Sequence, residues 1–272
     1  MTEWNVKVLY YGHITVPKSA LTPSLDEDLM LDIPYFGFLL QKDGCNILVD
    51  TGISEKTGIV NGRAWGGWPA VGGRTYLEKS LADAKVKPED IETVIYTHLH
   101  NDHAANSNLF KNARFIAQKS EWECLLDPLP VMKVRKDYDP NLVAELRQVD
   151  LLKVEGDFEL ADGIFVFQTP GHTPGSQSIG VRTKKGVVVI VGDQFHLACM
   201  AFPKQTELID IHGKRHKITP APDVYGPFYP SSLVYDYYDY YDSGYKIRAI
   251  AEKNEPEFIL YGHEPSLLGA GL

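Results

Sequence analysis

Short apolar runs bounded by turn residues recur along the chain and predict a protein rich in β-strands. In the first half of the chain these runs cover residues 6–11, 35–41, 46–50 and 94–97. Lys42, Asp43 and Gly44 form a turn between the second and third runs. Apolar residues then recur at helical spacing from Tyr76 to Val86, which predicts a helix before the fourth strand.

The second half of the chain repeats this design. Its predicted strands are residues 164–168, 178–182, 187–191 and 258–261, with a helix around residues 245–253. Hairpins joined to strand–helix–strand units, in two comparable halves, predict an α/β protein. The architecture we expect is an αββα sandwich, in which two mixed sheets pack face to face with helices outside. We expect residues 1–272 to form one domain.

Two long stretches show little periodicity. Residues 58–74 are rich in glycine and tryptophan, and residues 202–241 carry proline and many tyrosines. Long loops inside a compact domain are commonly functional or disordered, and their aromatic content favours a function. We therefore expect both stretches to form walls or lids of an active site.

Composition narrows the possible partners and compartment. The formal net charge of −9 disfavours nucleic acid as a partner. The sequence shows no signal peptide and no apolar stretch of about eighteen residues, so we expect a cytoplasmic protein without a membrane span. Cys45, Cys124 and Cys199 are widely spaced, which argues against disulfides and against a cysteine-based zinc site.

Histidine and aspartate are concentrated directly after the predicted strand at residues 94–97, where His98, His100, Asp102 and His103 follow one another. Residues two apart in an extended backbone point the same way, so His98 and His100 can bind one ion together. Asp102 and His103 then face a second ion. Such a group is costly to bury without a partner, and the alternative is a solvated polar loop.

Three further residues occupy equivalent places at strand ends. His172, Asp193 and His263 each follow a predicted strand, and each is preceded by glycine. Glycine lets the backbone turn sharply and approach an ion closely. With the first cluster these residues complete seven ligands for two divalent metal ions, and Asp193 can bridge them.

A pair of metal ions favours hydrolysis. Two ions can share a water molecule, lower its pKa to about 7 and polarise a carbonyl or phosphoryl oxygen. The sequence has no Gly-x-Ser-x-Gly nucleophile motif that would compete for this role. Mixed imidazole and carboxylate ligands suit zinc best, although iron, manganese and cobalt accept the same set.

These residues resemble the motifs of the metallo-β-lactamase superfamily over nearly the whole chain. The matching motifs are Val49-Asp50-Thr51-Gly52, His98 to His103, Pro170-Gly171-His172-Thr173, Gly192-Asp193 and Gly262-His263. The resemblance implies the αββα sandwich and two metal sites bridged by Asp193. It implies His98, His100 and His172 on one ion and Asp102, His103 and His263 on the other, with Asp50 supporting the ligands from behind.

Residues 86–94 and 108–110 and the segment Ile33-Pro34-Tyr35 are similar to the N-acyl homoserine lactonase group. This resemblance implies hydrolytic opening of an N-acyl homoserine lactone or a related lactone by a metal-bridging hydroxide. Asp102 would pass a proton to the leaving alkoxide, and the apolar loops would hold the acyl chain. The resemblance also suggests a homodimer.

One position departs from the lactonases. In the lactonases that this chain resembles, a tyrosine three residues after the bridging aspartate helps to polarise the lactone. This chain has His196 at that position. We predict that His196 donates a hydrogen bond to the carbonyl oxygen. Alternatives are Tyr225 or Tyr229 in that role, with His196 merely filling the pocket wall.

Two other functions stay open at this point. The same metal centre could hydrolyse another ester, a thioester or a phosphodiester. From a different class, the chain could be a metal-binding protein that has the fold and no catalytic activity.

Overall fold

The computed structural model describes residues 3–268, whose strands form two mixed sheets and a separate hairpin. The strands are β1 Asn5–Pro17, β2 Met30–Lys42, β3 Cys45–Val49, β4 Arg63–Ala64, β5 Trp68–Gly72, β6 Thr93–Ile95, β7 Arg114–Gln118, β8 Asp150–Val154, β9 Phe158–Ala161, β10 Ile164–Gln168, β11 Gln177–Thr183, β12 Gly186–Gly192, β13 Glu207–Ile209, β14 Arg215–Lys217 and β15 Ile259–Tyr261. The helices are α1 Arg74–Asp83, α2 Lys119–Leu126, α3 Pro130–Arg135, α4 Asn141–Leu146, α5 Ala198–Ala201 and α6 Tyr237–Ile250.

The first sheet has the strand order β4-β5-β1-β2-β3-β6-β7-β8. Its pairs are antiparallel from β4 to β3 and parallel from β3 to β8. The second sheet has the order β15-β12-β11-β10-β9, in which only the β12–β15 pair is parallel. Parallel neighbours need crossover connections, and these contain α1, α2 to α4, and α6. The predicted αββα sandwich of two mixed sheets is confirmed.

One hydrophobic core joins the two sheets. Leu48 of β3 and Ile95 of β6 share it with Ile179 of β11 and Ile190 of β12, and all four side chains are buried. Strands that are covered on both sides have nearly continuous apolar sequences, which explains the uninterrupted run in β12. The core therefore holds the ends of several strands in fixed positions, and the loops that leave them start from a rigid base.

Several element boundaries differ from the prediction. Helix α6 begins at Tyr237, well before residue 245, because the Asp236 carboxylate accepts hydrogen bonds from the backbone N–H groups of Tyr238 and Asp239. Residues 202–241 therefore contain the start of a helix and the β13–β14 hairpin, and residues 58–74 contain β4 and β5. The prediction also lacked β7, β8, β9 and α2 to α4.

Within residues 3–268, no helix has the length and apolar character needed to cross a membrane. Cys45, Cys124 and Cys199 are free thiols, as their spacing predicted.

Candidate metal centre

The loops that carry the predicted ligands leave the sandwich at the ends of four strands. β6 leads into the segment of His98, and β10 leads to His172. β12 and its parallel neighbour β15 lead to Asp193 and His263. Parallel neighbours end at the same edge of a sheet, so the residues that follow them arrive close together.

The structure brings all seven predicted ligands together in two groups. One ligand atom from each of His98, His100, His172 and Asp193 lies within 4.8 Å of the others, and Asp102, His103 and His263 meet the same limit. These are the two groups found among residues 3–268. The grouping puts Asp193 with His98, His100 and His172, and Asp102 with His103 and His263.

Asp193 faces both groups. Its Oδ1 atom lies 3.1 Å from His263 Nε2 and 3.2 Å from His103 Nε2, on the side of the second group. Its Oδ2 atom lies 3.3 Å from His263 Nε2 of the second group and 3.5 Å from His172 Nε2 of the first group. A carboxylate within reach of both groups has the position that a bridging ligand requires.

Hydrogen bonds on the outer nitrogen fix the tautomers of two of these histidines. His172 Nδ1 lies 2.7 Å from the carbonyl oxygen of Leu233, and His263 Nδ1 lies 2.7 Å from that of Pro34. A carbonyl oxygen only accepts, so both Nδ1 atoms carry the proton. The lone pair of each ring is consequently on Nε2 and points into the site, as metal coordination needs.

Asp50 orients two more histidines. Its Oδ2 atom lies 2.9 Å from His103 Nδ1 and accepts the Thr97 hydroxyl at 2.7 Å. Because the Thr97 hydroxyl donates to Asp50, its oxygen is free to accept from His98 Nδ1, which lies 3.1 Å away. In their neutral forms His103 and His98 therefore also direct the lone pair of Nε2 inward.

Burial keeps the histidines of the first group neutral. Loss of solvent, reinforced by neighbouring imidazoles, lowers the pKa of His98 and His100 well below its ordinary value. Burial also lowers the pKa of His172 to about 3. The neutral imidazole is the form that binds a metal ion.

The second group has the opposite electrostatics. Burial alone would lower the pKa of His103 and of His263, but the Asp193 and Asp102 carboxylates raise both above the ordinary value. Burial alone would raise the pKa of Asp193, but the imidazoles of His263, His196 and His103 hold it well below its ordinary value. In the absence of a metal ion, protons on His103 and His263 compensate the buried carboxylate.

These residues fit a pair of divalent cations. His98 Nε2 is buried without a hydrogen-bond partner, and His100 Nδ1 lies 3.1 Å from His172 Nε2. Buried nitrogen lone pairs that face one another are destabilising unless a cation or a proton lies between them. Imidazole and carboxylate together are a donor set suited to zinc, and iron, manganese and cobalt also accept it.

His196 lies beside this centre, where its Nε2 atom is within ion-pair distance of Asp193 and its Nδ1 atom has no hydrogen-bond partner. Its side chain is 2% exposed, its Nε2 atom lies 3.2 Å from Asp193 Oδ2, and its ring stacks on that of His263 with centroids 5.6 Å apart. Buried polar groups are normally satisfied, so the Nδ1 atom of His196 is available to a bound molecule.

The two alternative tyrosines lie away from the cleft. The Tyr229 hydroxyl donates to the carbonyl oxygen of Pro23, and the Tyr229 ring contacts the Tyr225 ring edge-on at 4.6 Å between centroids. Neither belongs to the described residues that line the cleft beside the metal centre.

The cleft has an empty volume of about 620 Å³ and two kinds of wall. Its polar wall includes Asp102, Asp137, His196 and the hydroxyl-bearing Tyr35. Its apolar wall consists of Ile14, Val16, Leu21, Ile33, Ile53, Ala64, Trp65 and Leu233. Residues 58–74 supply Ala64 and Trp65, and residues 202–241 supply Leu233, so both long stretches contribute to the cleft.

The carbonyl partners of His172 and His263 were not predictable, because a backbone carbonyl carries no sequence signature. Tyr35 and Asp137 were also not predicted as cleft residues. Tyr35 belongs to the segment Ile33-Pro34-Tyr35, whose similarity to the lactonases could have identified it as a cleft residue.

Comparisons with known proteins agree with this geometry. The family model described as the metallo-beta-lactamase superfamily matches residues 34–263. An N-acyl homoserine lactonase of a Bacillus species is 32% identical over 195 residues, which cover 68% of this chain and 74% of that protein.

Two solved structures are similar over most of the chain. A quorum-quenching N-acyl homoserine lactone hydrolase has a TM-score of 0.72 and 25% identity, covering 97% of this chain and 93% of that chain. AidC, described as a dizinc quorum-quenching lactonase in complex with a product, N-hexanoyl-L-homoserine, has a TM-score of 0.69 and 18% identity, covering 100% of this chain and 90% of that chain.

Proposed function

This chain belongs to the metallo-beta-lactamase superfamily, and from that premise we propose that it is a dizinc lactonase that opens N-acyl homoserine lactones. The observation that carries the proposal is that the seven proposed ligands meet beside a cleft, which four of them line together with other polar and with apolar side chains. The polar wall suits the lactone and amide, and the apolar wall suits an acyl chain. The lactonase name of the Bacillus relative supports the same substrate class.

We assign the ligands to two ions. His98, His100 and His172 would hold one, Asp102, His103 and His263 the other, and Asp193 would lie between them. When bound, zinc ions supply Lewis acidity toward the ester oxygen and lower the pKa of a water molecule. The product complex of the dizinc relative AidC supports zinc as the metal.

His196 is proposed to bind the lactone carbonyl. Its buried ring lines the cleft beside Asp193, and its Nδ1 atom has no hydrogen-bond partner, so an N–H of the ring can donate to the carbonyl oxygen. Negative charge grows on that oxygen as water adds to the carbonyl carbon. A donor placed there in advance stabilises the developing charge more than it stabilises the substrate.

Asp102 is proposed to transfer a proton. It lines the cleft, its side chain is 23% exposed, and its Oδ2 atom lies 3.6 Å from His263 Nε2. Water forms a new bond to the carbonyl carbon, and the ring C–O bond breaks. Asp102 takes a proton from the water and delivers it to the leaving ring oxygen, which becomes the hydroxyl of the product.

We also propose a cytoplasmic location and a homodimer. The free thiols of Cys45, Cys124 and Cys199 support a reducing compartment. The exposed Tyr237 and Tyr238 at the start of α6 support a protein interface, because tyrosine is enriched at such surfaces. Light scattering after size-exclusion chromatography tests the dimer, and a monomeric mass at micromolar concentration would contradict it.

The test of the function is a proton-release assay with protein loaded with zinc. We expect hydrolysis of butanoyl to decanoyl homoserine lactones and much slower hydrolysis of thioesters and phosphodiesters. The His172→Ala variant should lose both zinc and activity. A zinc-loaded protein that leaves all of the lactones intact would overturn the proposal, and activity on a thioester or phosphodiester alone would replace it.

A further inference from the structure

Glu121 is a fully buried carboxylate outside the ligand set. It lies in the first turn of α2, its exposed fraction is 0%, and burial raises its pKa. Four neutral groups donate hydrogen bonds to it. A buried carboxylate is costly to the fold. A complete set of hydrogen-bond donors around it therefore indicates a specific role.

The two oxygens of Glu121 accept from different segments of the chain. Oε1 accepts from the backbone N–H of Leu99 at 2.9 Å and from the hydroxyl of Tyr138 at 2.8 Å. Oε2 accepts from the hydroxyl of Thr173 at 2.6 Å and from the backbone N–H of Gly175 at 3.1 Å. One carboxylate therefore joins the chain on each side of the first metal group.

These contacts reach the metal ligands directly. Leu99 lies between His98 and His100 in the sequence, and the Tyr138 ring packs edge-on against the His100 ring at 4.8 Å between centroids. Thr173 follows His172. Every ligand histidine of the first group is thus covalently next to, or in ring contact with, a group that Glu121 holds.

The backbone leaves little space for adjustment at this junction. A Cβ atom at Gly175 would lie 2.2 Å from the backbone nitrogen of Glu121, so the loop after His172 packs directly on α2. Only glycine permits so close an approach. The position of α2 therefore determines the distance between the two ligand loops.

We propose that Glu121 is a positioning residue that fixes the spacing between the His98–His100 segment and His172, and thereby sets the metal affinity of the first group. The second group has different supports, since Asp50 orients His103 and the Pro34 carbonyl orients His263. Loss of Glu121 should therefore weaken one metal site selectively. The inference rests on the proposed metal-dependent function, whichever lactone is the substrate.

Glu121→Gln is the sharpest test because it keeps the shape of the side chain. An amide has one oxygen and one N–H₂ group, and the N–H₂ group cannot accept a hydrogen bond. In either orientation the two donors to one of the oxygens lose their acceptor. Supports of this kind typically contribute about 10-fold to 100-fold to metal affinity.

The experiment measures metal binding without substrate. Metal-free protein is titrated with cobalt in the presence of a competing chelator, and the cobalt absorption spectrum and the number of bound ions are recorded. We expect two tightly bound ions in the unsubstituted protein. In Glu121→Gln we expect one ion held equally tightly and one held about 10-fold to 100-fold more weakly, with an altered spectrum.

Glu145→Gln is the matched control. Glu145 is a partly buried helix glutamate that accepts a hydrogen bond from the Ser107 hydroxyl at 3.2 Å, and Ser107 lies outside the ligand segments of the first group. We expect Glu145→Gln to bind both cobalt ions as tightly as the unsubstituted protein does. Thr173→Val removes one donor to Oε2 and should show a smaller loss of cobalt affinity at the same site. This variant replaces Glu121→Gln in the test if Glu121→Gln does not fold.

Three results would overturn the inference. Glu121→Gln and Thr173→Val could both bind two ions as tightly as the unsubstituted protein, or Glu121→Gln could weaken both ions equally. If the unsubstituted protein itself binds no ion, the metal-dependent function fails as well. The first two results leave the proposed function intact, so the two failures are distinguishable.

Discussion

Asp50 Oδ2 lies 2.9 Å from His103 Nδ1 at the bottom of the metal centre. Burial raises the pKa of Asp50, while its bonds to His103 and Thr97 oppose that change. A carboxylate in this position holds the proton on Nδ1 and makes Nε2 a stronger ligand. Asp50 adopts a positive φ of 59°, an uncommon conformation for a residue with a side chain, which aims the carboxylate at both partners.

Asp50→Asn should therefore lower zinc affinity about 10-fold to 100-fold, because the amide is a poorer acceptor and carries no charge. Chelator competition at about pH 7.5 measures the change in zinc affinity. Asp32→Asn is the control, since Asp32 also lies beside two histidines, His13 and His212, outside the ligand set. Equal zinc affinity in Asp50→Asn and the unsubstituted protein would contradict the assignment.

His196→Phe should reduce kcat/KM toward an acyl homoserine lactone about 100-fold to 1000-fold, the usual effect of removing one oxyanion donor. Phenylalanine fills the same buried space, so two zinc ions per chain should remain. His196→Tyr, which restores a donor, should recover part of the rate. If His196 only fills the wall, the phenylalanine variant will keep its activity, and steady-state kinetics with zinc analysis separates the two outcomes.

The sequence predicted the metal centre better than the elements around it. Ligands such as His98 and Asp193 are identifiable because their residue types and their places after buried strands are both encoded locally. The carbonyl of Leu233 and the carboxylate of Glu121 reach the ligands only through the tertiary fold. No local pattern reports a contact between residues 61 positions apart, such as His172 and Leu233.

In the fold, too, locally encoded features were predictable and features that depend on tertiary contacts were not. Strands β3 and β12 were predictable because they are buried continuous apolar runs. Between β7 and β9 the helices are short and half-exposed, so their apolar periodicity is too brief to be recognised. The true start of α6 depends on the Asp236 cap, a signal that the surrounding tyrosines obscured.

The metal-free protein should lose stability as the pH falls from about 6.5 toward about 3. Folding lowers the pKa of His172 from 6.5 to about 3, so across this window the unfolded chain binds a proton that the folded chain does not. The free energy of unfolding then decreases by about 1.4 kcal/mol per pH unit for such a group. His103 and His263, whose pKa values are raised, act in the opposite sense and stabilise the fold at low pH.

A variant isolates the contribution of His172. Urea unfolding of metal-free His172→Gln between about pH 4.5 and pH 6 should show a slope against pH that is shallower by about one proton. His212→Gln is the control, because the His212 side chain is 73% exposed. Identical slopes for His172→Gln and the unsubstituted protein would show that His172 is not held neutral by the fold.

Leu233→Ala should weaken the binding of long acyl chains selectively. Leu233 lines the apolar wall, whereas its backbone carbonyl, which accepts from His172 Nδ1, is kept in the variant. Each apolar methylene that loses its contact costs about 0.8 kcal/mol, so KM for a decanoyl substrate should rise about tenfold. KM for a butanoyl substrate and kcat for both should change little. Leu152→Ala, an exposed position on β8, is the control, and an equal rise for both chain lengths would place the acyl chain elsewhere.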